Sequence, residues 1–128
     1  MKFITVAIIW IFLIARAAIA HEMTPTYPVL RPSYMDGLST TKLTLFNKRN
    51  DAIHYEIQVF DKYWKQIPFA SQEKIIRVDY LAKKNFEVYI RNSDKNDVEY
   101  ICTMSKLPKT KNSSSMIASK ICSKIERD

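Results

Sequence analysis

Residues 52–60 read Ala-Ile-His-Tyr-Glu-Ile-Gln-Val-Phe. Ile53, Tyr55, Ile57 and Val59 alternate with His54, Glu56 and Gln58, a repeat of two that fits a β-strand and not the 3.6-residue period of a helix. Upstream, in residues 42–47 (KLTLFN), Leu43 and Leu45 share one face, and Asn47-Lys48-Arg49-Asn50-Asp51 supplies turn formers. Downstream, residues 75–80 (IIRVDY) place Ile76, Val78 and Tyr80 on one face, and residues 86–91 (FEVYIR) do the same with Phe86, Val88 and Ile90. After the turn formers of 92–97, Val98, Tyr100, Cys102 and Met104 alternate with Glu99, Ile101 and Thr103.

Residues 23–32 carry Pro25, Pro28 and Pro32, which excludes a helix and suits an irregular edge strand, since proline cannot donate to a ladder. At the other end, 106–114 read as a polar loop, and 115–125 fit two periods at once. Ile117, Ile121 and Ile125 form a helical face at i, i+4 and i+8, or one face of a strand with Ser119 and Ser123 between them. A strand is favoured, because pairing beside 98–104 brings Cys122 near Cys102. Short strands at regular spacing, with Gly37 the single glycine of 128 residues, predict an all-β fold: one immunoglobulin-like β-sandwich of about seven strands.

The first twenty residues have the organisation of an export signal: Lys2, an apolar run over 3–15, and the small-residue ending Ala18-Ile19-Ala20. Arg16 leaves an uncleaved anchor as the alternative. Residues 1–20 are thus expected to be a signal peptide and 21–128 one domain with a basic C-terminal segment, periplasmic or secreted, with no stable membrane insertion after cleavage. In an oxidising compartment an even pair of cysteines predicts a disulfide between Cys102 and Cys122.

The net charge of +7 is uneven: residues 21–105 carry 12 basic against 11 acidic side chains, whereas 106–128 carry six basic residues against Glu126 and Asp128. Such a tail suits an acidic partner or a solvated segment, and no nucleic-acid recognition pattern accompanies it. No P-loop, Gly-x-Ser-x-Gly, His-Glu-x-x-His or dinucleotide fingerprint is present, and one glycine cannot build a phosphate-cradling loop. Asp94, Asp97 and Glu99 surround a turn without calcium-loop spacing. The expectation is a non-enzymatic protein with no cofactor.

Taken together, the proline-bearing first strand (Met23-Thr24-Pro25), the Leu-Thr-Leu-Phe-Asn second strand, the alternating third strand (53–60) and the later Ile-Ile-Arg-Val segment resemble the N-terminal immunoglobulin-like domain of periplasmic pilus chaperones of the PapD type, over residues 22–105. That resemblance implies a chaperone-like module that binds another exported protein, such as a pilus-type subunit, through β-strand edge pairing. Two departures accompany it. Those chaperones have two such domains, and their basic pair for a subunit carboxylate has no match in Thr24-Pro25-Thr26-Tyr27, the first arginine after it being Arg31.

Two groups are candidate partner-binding residues. Ile117, Lys120, Ile121 and Lys124 would form a lysine-guarded edge if 115–125 is a strand. Tyr63 and Trp64, within the aromatic and lysine-rich stretch 60–69, would anchor a partner, or else Trp64 and Phe69 would close the end of the core. The alternative function is copper binding: His21, the first residue after the expected cleavage, chelates through its amine and imidazole, with His54 completing a histidine brace.

Overall fold

A computed structural model describes residues 20–106 and 118–127. The expected signal peptide, apart from Ala20, and Ile117 lie outside these residues. The described chain forms eight strands: β1 (Glu22–Thr24), β2 (Arg31–Pro32), β3 (Leu38–Phe46), β4 (His54–Phe60), β5 (Ile75–Arg77), β6 (Lys83–Arg91), β7 (Tyr100–Lys106) and β8 (Lys120–Lys124). No helix among the described residues is long and apolar enough to cross a membrane.

The strands make two antiparallel sheets. In the first, β3 is central, with β6 along one side and β1 and β2 sharing the other; in the second the order is β5-β4-β7-β8. The alternation read from the sequence is what brings the two layers together. Leu43 and Leu45 of β3, Phe86, Val88 and Ile90 of β6, and Tyr55, Ile57 and Val59 of β4 are all buried in one core. Each aliphatic side chain so buried contributes about 1.5–3 kcal/mol.

The proline-rich first segment is two short strands instead of one, which raises the strand count from seven to eight. Tyr80, expected beside Ile76 and Val78, is exposed. The chain turns there, with Ala82 N–H donating to Asp79 C=O and Leu81 at φ +61°, so the strand ends before Tyr80 can point inward. The C-terminal segment is a strand over Lys120–Lys124, and Cys102 is bonded to Cys122 with an S–S distance of 2.02 Å.

Candidate strand-docking edge

Among the described residues β8 is the edge of its sheet. Its register against β7 pairs Cys102 with Cys122, Tyr100 with Lys124 and Met104 with Lys120. The Cα atoms of Cys102 and Cys122 are 4.0 Å apart, the narrow spacing of an antiparallel pair that exchanges no hydrogen bonds. In that phase the main-chain N–H and C=O groups of residues 120, 122 and 124 point away from β7. The neighbouring residues confirm the phase, because Ser105 N–H donates to Ser119 C=O (2.9 Å) and Ile125 N–H to Glu99 C=O (2.8 Å).

The outward groups meet two fates. Lys124 N–H donates to Thr26 C=O (3.0 Å), and Glu126 N–H to Pro28 C=O (2.9 Å), so residues 26–28 cover the trailing half of the edge. On the outer side of Lys120 and Cys122 no strand is paired with β8 among the described residues, although β1 lies close to β8. Among the described residues the leading half of β8 therefore has no strand laid along its outward main-chain groups, the condition for adding another strand.

Side chains hold this half in place. Ile121 packs inward against the core. Lys120 lies across the outer face, with Nζ 4.1 Å from the centre of the Phe60 ring and 5.6 Å from that of Trp64. Trp64 stacks flat on Tyr100, with centroids 4.2 Å apart and planes within 1°. The Trp64 position is built by its loop: Asp61 Oδ1 accepts from the N–H groups of Tyr63 (2.8 Å) and Lys65 (2.9 Å), and Trp64 takes φ +64°, a left-handed conformation uncommon for an aromatic residue. Trp64 is 52% exposed, so the outer aromatic surface and not the closed core end describes it; Phe69 is the one that packs partly against the core. Tyr63 is 77% exposed and points elsewhere, under Lys62.

The lysines of the edge differ in pairing. Lys124 is 3.5 Å from Glu99, and Lys106 is 2.9 Å from Glu56. Lys120 has no carboxylate within ion-pair distance among the described residues and keeps only its aromatic contacts. Gln58, opposite Cys102 on β4, holds a buried Oε1 without a hydrogen-bond partner.

Sequence reading missed the polar cluster immediately behind this edge. His21 is only 2% exposed, with Nε2 2.9 Å from Thr103 Oγ1 and 3.2 Å from Thr103 C=O, and Nδ1 3.2 Å from Ser119 Oγ. Its ring packs on Tyr55 at 4.6 Å. Arg49, also buried, donates from Nη1 to Ser105 Oγ and Ser119 Oγ, and grips Asp51 through two hydrogen bonds of 2.8 and 2.6 Å. Those bonds hold the Asp51 carboxyl below the usual carboxylate range. Burial pushes the His21 imidazole down to about 4, a bond to the Thr103 carbonyl opposes this, and the Arg49 charge adds to the lowering. The imidazole is neutral at pH 7.

The two histidines of the copper reading are placed differently. His54 is exposed on β4 next to the inward Tyr55, hence on the opposite face of the sheet from His21. Among the described residues no three His, Cys, Asp or Glu side chains form a metal-holding group.

No family model matches the sequence, and no curated protein matches it. The crystal structure of the E. coli chaperone DraB does resemble it, with a TM-score of 0.63 and 18% identity over 83% of this chain and 53% of that one. The chain thus spans about half the length of that structure. The two-sheet fold that sets out the β8 edge is a fold this chain shares with an E. coli chaperone.

Proposed function

We propose that this chain is an exported, non-enzymatic binding module that accepts a strand of another exported protein on the leading half of β8, in a chaperone-like role during assembly of a pilus or similar surface structure. The single observation that carries this reading is the outward phase of the main chain at Lys120 and Cys122, where no strand is paired with β8 among the described residues. The fold likeness to a chaperone supports the class of partner. A partner strand would pair with these groups and lay alternate side chains beside Lys120 and the Trp64–Tyr100 stack. Lys120, with no acid of its own nearby, would favour a partner bearing a carboxylate at that point.

The test follows from the same phase. Compared with Lys120→Ala, Lys120→Pro removes only an outward N–H, which an edge strand tolerates, whereas Ile121→Pro removes a donor to β7. Immobilised nine-residue peptides of alternating apolar and threonine residues, each with one aspartate, serve as the probe. Capture by the wild type, weaker capture by Lys120→Ala and none by Lys120→Pro, whose melting temperature matches that of Lys120→Ala, is the expected result. Equal capture by Lys120→Pro would refute edge pairing.

A further inference from the structure

The buried cluster behind β8 joins segments far apart in sequence, and its members converge on Ser119. Every polar group of that residue is engaged: N–H donates to Ser105 Oγ (2.8 Å), C=O accepts from Ser105 N–H (2.9 Å), and Oγ meets both Arg49 Nη1 (3.2 Å) and His21 Nδ1 (3.2 Å). The hydrogen-bond roles are fixed by chemistry. The Thr103 carbonyl can only accept, so His21 Nε2 carries the proton, and Nδ1 of the neutral ring is left to accept from the Ser119 hydroxyl. Arg49 donates to the same hydroxyl oxygen from the other side.

Ser119 immediately precedes Lys120, the first residue of the open edge, and the disulfide fastens Cys122 two residues beyond. The leading half of β8 is thus held at both ends by groups that leave its outward main chain unused. Holding a strand this way removes part of the ordering cost that a docking partner would otherwise meet.

We propose that His21 and Arg49 are positioning residues that latch the leading end of β8 through Ser119, so that the edge is preformed before a partner arrives. This deepens the strand-docking reading, on which its consequence for binding rests; the latch itself is tested without any partner. The charged group set against His21 is Arg49, itself paired with Asp51 in the loop before β4; Tyr55 of β4 packs on the ring, Glu22 is paired to Lys48 at the exposed side of β1, and cleavage after Ala20 would add the α-amino group of His21 itself. None of these places a carboxylate on the ring, so a protonated His21 would face Arg49 across Ser119 and could no longer accept from the hydroxyl.

Amide hydrogen exchange, normalised to intrinsic rates and followed residue by residue, reads this out in the wild type, His21→Ala, His21→Gln and Ser119→Ala. In His21→Ala, exchange at Ser119 and Ile121 should rise at least tenfold, while Leu43 and Val88 in the other sheet stay within twofold. His21→Gln, which keeps a donor and an acceptor, should restore at least part of the protection. Between pH 6.5 and 4 the wild type should lose protection at Ser119 and Ile121, and His21→Gln should not. Should His21→Ala fail to fold, Ser119→Ala, which keeps the ring on Thr103, must show the same local rise. A rise spread evenly over both sheets, or none at Ser119 and Ile121, would overturn the latch. Failure of peptide capture with the local exchange pattern intact would instead sink the docking reading and leave the latch standing.

Discussion

The two halves of β8 are fastened in different ways. The trailing half is held by main-chain and side-chain bonds to the first segment of the chain: Lys124 N–H to Thr26, Glu126 N–H to Pro28, and Ser123 Oγ to the Pro25 carbonyl at 2.8 Å. Ile125 then ends the strand in the core. The leading half is held by what lies behind and above it, namely the Ser119 cluster, the disulfide and the inward Ile121, and no strand is paired along its outer main chain among the described residues. The contrast shows how an edge strand can be rigid and available together. Rigidity comes from side chains and covalent linkage, which need not use the outward hydrogen-bonding groups of the main chain.

The largest effect is expected where the trailing half enters the core. Ile125 is 6% exposed, and Ile125→Ala should cost about 4 kcal/mol through lost burial and the cavity left behind, measured as a lower urea midpoint at unchanged slope. A loss below about 1 kcal/mol would mean that the trailing half is not anchored there. Next comes the disulfide. Replacing Cys102 and Cys122 together by alanine reopens a link of sequence separation 20 and should cost about 3 kcal/mol by the loop-entropy estimate. The leading half should loosen more than the trailing half, which keeps its bonds to residues 26–28.

Acid probes the leading half through His21. Its native value of about 4 lies below the 6.5 of a free histidine, so the unfolded chain takes up the proton first. The associated stability is fully present above pH 6.5 and is lost as pH falls from 6.5 to 4, with a magnitude of roughly 2–3 kcal/mol. Unfolding free energies measured across that window should slope in the wild type and flatten in His21→Gln. Equal slopes would show that the buried imidazole does not control this end. The smallest effect belongs to Lys120→Ala, where losing an exposed cation from the Phe60 and Trp64 rings should cost about 0.5 kcal/mol or less.

Much of the framework was legible because one physical constraint wrote it. A strand with one buried face must alternate, and β3, β4 and β6 do so with Leu43, Leu45, Tyr55, Ile57, Val59, Phe86, Val88 and Ile90. The cysteine pair was legible for a similar reason, since an expected export signal and strand adjacency both point to a bond, and Cys102 is bonded to Cys122. The period of 115–125 was ambiguous because an isoleucine every fourth residue satisfies both geometries; β7 pairing decides it.

The polar cluster stayed hidden. The strand reading put Ser119 on the isoleucine face without a role for its hydroxyl, and Thr103 and Ser105 carried no inward signal of their own, yet all three satisfy a buried histidine and arginine from distant segments. Pairing phase was equally illegible: whether residue 120 or 121 points its N–H outward depends on register, which alternation alone does not set. The placement of Trp64 on Tyr100 depends on the turn capped by Asp61, and the sequence offered that aspartate only as one more polar residue among aromatics.

Amide exchange along β8 of the unmodified protein tests the open edge most directly. An open edge predicts an alternation in the leading half, with Lys120 and Cys122 exchanging fast and Ile121 and Ser123, which face β7, at least a hundredfold slower, followed by protection at Lys124 through Thr26. Protection of Cys122 equal to that of Ser123 would mean that the outer main chain is already paired, and the edge would not be open to a partner.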